Sequence, residues 1–170
     1  MRHHDGEGFM RLRIRTLPLL VLLLAPLLSV GHAQQETRSQ APQQVSEEVM
    51  NKLQAAAIQH EAIAVLLEEQ KFPAVVPGLK EIFDLALPQE YEIYQVREVQ
   101  SVVQKLREKR QLSVAHSAVD LGLKYLEEDK SKASLYLLKS QLYRDSGQIR
   151  EAAEATELAR KFYQSGLRGR

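Results

Sequence analysis

Between Ser134 and Phe162 two runs with helical periodicity, SLYLLKSQLYR and QIREAAEATELARKF, flank Asp145-Ser146-Gly147. That three-residue break hinges one helix back on the other. Ala152, Ala155 and Ala159 recur at three and four along the second run, a face small enough for the two helices to approach closely. The pattern predicts a helical hairpin, and it constrains the rest of the chain. A hairpin that cannot bury both of its faces alone must stack on others. Alternation of Val, Ile and Thr suited to a strand is hard to find, whereas Ala, Leu, Glu, Gln and Lys are abundant. With 170 residues and 44% of them hydrophobic, one all-α domain is expected.

The upstream sequence supplies two further helix pairs. Ser46 is an N-cap with Glu47 and Glu48 in the first turn, and the first helix is predicted to run to about Gln70. Val49, Leu53, Ala56, Ile63 and Leu67 form its apolar seam, widened by Ile58, Ala62, Val65 and Leu66. Phe72-Pro73 opens the second helix, which either kinks at Pro77-Gly78 or starts late at Pro77. Pro88 ends it and begins the third, with Glu90 and Glu92 in the first turn and Val96, Val99, Val103 and Leu106 along the seam to about Arg110. A fourth helix is predicted from Leu112 to Glu127, followed by a polar corner at Lys130-Ser131-Lys132. The helical domain is expected over 46–163, with a frayed tail over 164–170.

Residues 1–33 read as a secretory signal. Arg11, Arg13 and Arg15 precede LPLLVLLLAPLLSV, and Gly31-His32-Ala33 offers a small-residue cleavage site. Asp5 and Glu7 ahead of the basic region make Met10 a candidate start. The apolar run is shorter than the roughly 20 residues of a spanning helix and holds Pro18 and Pro26, so cleavage rather than anchoring is expected. The mature chain would begin at Gln34 with a disordered tether over 34–45. An exported location, periplasmic or secreted and most simply bacterial, follows. The absence of Cys leaves stability to packing alone.

The last hairpin resembles a tetratricopeptide repeat. Tyr136 and Tyr143 occupy the aromatic sites of that family's first helix and Ser140 its small site; Gly147 falls at the turn, and Ala152 and Ala159 at the small sites of the second helix. Lys139 and Thr156 depart from the pattern, and no closing Pro lies near Gln164. The same spacing falls on Val99, Val103, Leu106, Ala115, Val119 and Gly122, and on Ile63, Leu66, Val75, Leu79 and Ile82. The intervals Phe72 to Leu112 to Ile149, 40 and 37 residues, exceed the family's usual spacing of about 34. The resemblance implies three antiparallel hairpins stacked as a short α-solenoid that binds a protein or peptide in a groove lined by the first helix of each pair.

Chemistry is hard to find. After the leader, His60 and His116 are the only histidines, and His60-Glu61 lacks the second ligand of a zinc protease motif because Ala64 stands in its place. His60 is expected as a partly buried structural histidine and His116 as a surface one. There is no G-x-S-x-G, Cys or phosphate-binding Gly-rich loop, so neither an enzyme nor a cofactor is expected. Of 23 basic residues four precede Gln34, and of 22 acidic ones two do, leaving 19 against 20 and a net charge of −1. That balance argues against nucleic acid as a partner.

One surface stands out. Arg97, Gln100, Gln104, Arg107 and Gln111 recur at three and four beside the seam of the third helix. By the resemblance, His60 and Glu68 from the first unit and Gln141 and Arg144 from the last extend this stripe. Planar guanidinium and amide groups suit a peptide backbone or carboxylate. Two other readings of the same helices remain open: a bundle that self-associates through Ala152, Ala155 and Ala159 into a homo-oligomer, or one that carries a cofactor such as haem.

Overall fold

The computed structural model describes residues 46–168, so the expected leader and tether lie outside the described residues. Among the described residues the chain is all-α. The six helices are α1 Glu47–Glu68, α2 Val75–Asp84, α3 Glu92–Glu108, α4 Leu112–Tyr125, α5 Asp129–Asp145 and α6 Ile149–Arg168, with 3₁₀ turns at Phe72–Ala74 and Gln89–Tyr91. Consecutive helices pack as α1 on α2, α3 on α4 and α5 on α6; across these pairs α1 meets α3, α3 meets α5, and α2 meets α4.

The first helix of each pair ends in the same way. The amides of Lys71, Gln111 and Gln148 each donate at 2.8 Å to a carbonyl five residues back, those of Leu66, Leu106 and Tyr143. The residue before each donor has positive φ: Gln70 at 59°, Arg110 at 59° and Gly147 at 73°. This is the Schellman closure, which uses a left-handed residue to satisfy the last carbonyls of a helix. Glycine takes that conformation without strain, whereas Gln70 and Arg110 hold a Cβ there at some cost. Replacing each by Gly is therefore expected to stabilise the protein by about 0.5–1 kcal/mol, read as a rise in urea midpoint. A fall in the midpoint would mean that the side chains contribute more than the backbone strain takes away.

The core runs between the helix pairs. Val75 and Leu79 of α2, Val99, Val103 and Leu106 of α3, Ala115 and Val119 of α4, and Leu135 and Leu142 of α5 are all completely buried. Each buried Val or Leu contributes about 1.5–3 kcal/mol of transfer free energy, so this cluster dominates the stability of the fold. Gly122 permits the closest approach: a Cβ there would stand 2.7 Å from Leu135 Cδ1 and 3.2 Å from Val99 Cγ2. Phe83 stacks on Tyr125 across α2 and α4 with centroids 5.1 Å apart, and Tyr136 on Phe162 across α5 and α6 at 5.4 Å.

Several boundaries differ from expectation, each for a local reason. Pro77 does not start α2. It is the third residue of that helix, where its missing N–H would have had no intrahelical partner. Pro88 is separated from α2 by a reversal at Ala86, whose φ is 47°, and leads into the 3₁₀ turn instead of into α3 directly. The residues expected as a polar corner, Lys130-Ser131-Lys132, form the first turn of α5. The tail expected to fray from residue 164 continues α6 to Arg168, with Gly166 beside Lys130 at the start of α5. On α1, Ile58 and Val65 do not widen the buried seam and remain exposed.

The start of α5 is held from a distance. Its N-cap residue Glu128 makes no side-chain cap bond. The carboxylate of Glu92, at the head of α3 and only 5% exposed, accepts from the amides of Glu127 and Glu128, the latter at 3.0 Å, and from Ser131 Oγ at 3.4 Å. A carboxylate at a helix N-terminus satisfies unpaired N–H groups and complements the helix dipole.

Candidate functional site

The polar stripe lies along α3, and its positions follow from how α3 is buried. Val96, Val99, Val103 and Leu106 face the core, which turns Arg97, Gln100 and Gln104 outward. A cleft opens on each side of this stripe.

The first cleft, of about 400 Å³, lies between α1 and α3. Its apolar lining is Leu53, Ala56 and Ala57 of α1, Tyr94 of α3, Ile82 and Leu87; His60, Gln95, Arg97, Glu98 and Ser101 provide the polar groups. Tyr94 is 55% exposed although it is aromatic. Arg97 Cζ stands 5.9 Å from the Tyr94 ring centroid, a cation–π distance. His60 Nδ1 and Glu98 Oε2 are hydrogen-bonded at 2.7 Å. The His60 side chain is about half exposed, more open than its place on the seam suggests. Glu98 is the more enclosed of the two, and its other oxygen, Oε1, is buried without a hydrogen-bond partner among the described residues. A buried polar atom left in that state costs about 1–3 kcal/mol.

The second cleft, of about 430 Å³, lies between α3 and α5, where Gln100 and Gln104 face Ser134, Leu137, Leu138 and Gln141. Leu137 is 51% exposed. Further along, Arg107 Nε is 2.6 Å from Asp145 Oδ2, which ties α3 to α5. Gln104 donates to Glu108 Oε1 at 2.9 Å and accepts from Arg107 at 3.3 Å.

The structure thus brings together five of the eight residues that the sequence assigned to a groove: His60 and Arg97 at the first cleft, and Gln100, Gln104 and Gln141 at the second. Arg107 is engaged with Asp145. Glu68 and Arg144 are exposed near the ends of α1 and α5 and line neither cleft. Tyr94, Glu98 and Leu137 were missed. Tyr94 and Leu137 could have been found as large apolar residues that fall off the buried seam of a helix.

Two cross-helix bonds share one offset. His60 to Glu98 and Arg107 to Asp145 each span 38 residues, the first tying α1 to α3 and the second α3 to α5. The face of Ala152, Ala155 and Ala159 is buried within the α5–α6 pair, which removes the surface that the self-association reading relied on.

Among the described residues no group of three or more His, Asp and Glu side chains is placed to hold a metal ion. His116 is half-buried rather than on the surface, its ring 4.7 Å from that of Tyr143. Burial pushes its imidazole below the ordinary range; Asp120 pulls it up and Lys139 pushes it down. A histidine held neutral in the fold takes up its proton more readily when unfolded, so stability is retained above about pH 6.5 and lost as the pH falls below it. Unfolding midpoints at pH 7.5 and 5.5 are expected to drop more for the wild-type protein than for His116→Gln. Equal drops would show that other groups set the acid sensitivity.

Comparison with family models, with curated proteins and with solved structures gives no match to this chain.

Proposed function

We propose that the protein is a non-catalytic interaction module that holds a peptide segment of a partner protein along α3, in a groove formed by the first helices of three stacked, tetratricopeptide-like hairpins. The observation that carries this reading is the pair of clefts flanking one polar stripe, with half-exposed Tyr94 beside the Arg97 guanidinium in one and half-exposed Leu137 beside the amides of Gln100, Gln104 and Gln141 in the other. Apolar anchors bordered by directional donors are what peptide grooves use. The matching closures of α1, α3 and α5 and the bonds that tie α1 to α3 and α3 to α5 support the stacked arrangement.

A photo-crosslinking residue placed at Gln100 or Leu137 is expected to capture a discrete partner in cells, while the same residue at Lys124 on α4 is not. Equal capture from all three positions would overturn the groove. We place the protein outside the cytoplasmic membrane, as a small scaffold of a cell envelope or a secreted one, on the strength of the Arg11–Ala33 signal pattern. N-terminal sequencing of the exported protein is expected to begin at Gln34.

A further inference from the structure

The cleft between α1 and α3 is lined by both apolar and polar side chains. Leu53, Ala56, Ala57 and Ile82 offer aliphatic surface, while Glu98 brings a carboxylate whose Oε1 is buried and unpartnered. Oε2 is taken by His60 at 2.7 Å. Arg97, the cationic side chain at this cleft, lies against the exposed Tyr94 ring. The cleft therefore combines an unmet demand for a donor with a surface that favours methylenes.

We propose that this cleft receives a lysine side chain of the partner peptide, with its ammonium donating to Glu98 and its four-carbon stem lying on Leu53, Ala56 and Tyr94. The proposal rests on the peptide-groove reading and specifies which residue the groove selects. Lysine suits the site better than arginine because one carboxylate oxygen is already engaged. A guanidinium fork needs both oxygens to pair side by side, whereas an ammonium is a point donor that needs one. The stem of lysine is also the part of a charged side chain that lies on apolar surface while its head reaches a polar group. A carboxylate as guest would meet the charge of Glu98, and a purely aliphatic guest would leave Oε1 as it is.

The test uses the full-length protein and three capped peptides of one leucine–alanine frame, with lysine, acetyl-lysine or norleucine at the centre. Binding is followed by titration and by chemical-shift changes at Leu53, Ala56 and Tyr94. The lysine peptide is expected to bind about tenfold more tightly than the acetyl-lysine peptide, the worth of one charge-assisted hydrogen bond. In Glu98→Gln, checked for wild-type helicity, that preference is expected to vanish. Equal affinities of the wild-type protein for the lysine and acetyl-lysine peptides overturn the lysine assignment while leaving the groove to stand on the crosslinking result. Absence of shifts at the three residues with every peptide also overturns it. The comparison within the wild-type protein decides the matter even if the variant does not fold.

Discussion

Leu135→Ala is expected to destabilise the protein by about 2–5 kcal/mol, measured as the loss of unfolding free energy in urea. Leu135 is completely buried on α5, in the cluster that includes Val99 and Val119. Its Cδ1 comes close to Gly122, where helix α4 carries no side chain. Truncation removes buried methyl groups and leaves a cavity that the surrounding backbones close only partly. The geometry supplies a second, sharper expectation. Gly122→Ala alone brings a new methyl against Leu135 and Val99, so an overpacking cost of about 1–3 kcal/mol outweighs the roughly 1 kcal/mol that alanine gains over glycine in a helix. Combined with Leu135→Ala, the same methyl enters the cavity and restores part of the loss. The double variant is expected to be more stable than Leu135→Ala alone. A double variant that simply sums the two losses would show that the helices do not pack here as described.

Glu92→Ala is expected to cost about 2–4 kcal/mol, because it removes a charged acceptor and leaves the amides of Glu127 and Glu128 without their partner. Glu92→Gln, which keeps one oxygen acceptor and loses the charge, should cost about half as much, and Ser131→Ala about 1 kcal/mol or less. Amide exchange discriminates this from a general loss of packing. In Glu92→Ala the Glu127 and Glu128 amides should exchange rapidly under conditions where Val99 and Leu106 remain protected. A loss below about 0.5 kcal/mol would mean that water serves these amides as well as the carboxylate does.

These cases also show what was legible beforehand. The all-helical class and the six helices follow from periodicity, because an apolar residue at every third or fourth position is a local property. The turn at Gly147 could be read since glycine marks a positive φ. The identical turns at Gln70 and Arg110 could not, because nothing about those side chains announces a left-handed backbone. The start of α5 was hidden for a different reason: its cap is Glu92, a residue far back in the chain, and only the folded arrangement brings the two together.

The candidate site divides in the same way. Spacing along α3 was enough to turn Arg97, Gln100 and Gln104 to one outer face. That Arg107 is engaged by Asp145, and that Glu98 is drawn inward with one oxygen on His60, depends on contacts 38 residues apart. No pattern within one helix carries that information.

The clasp of Glu92 on the head of α5 has a consequence for the order in which the chain is made. Synthesis releases α3 from the ribosome before α5, so the acceptor is already in place when the amides that need it emerge. The final helix pair is therefore completed by what was translated earlier, and a fragment beginning at Leu126 would enter solution with the amides of Glu127 and Glu128 unserved.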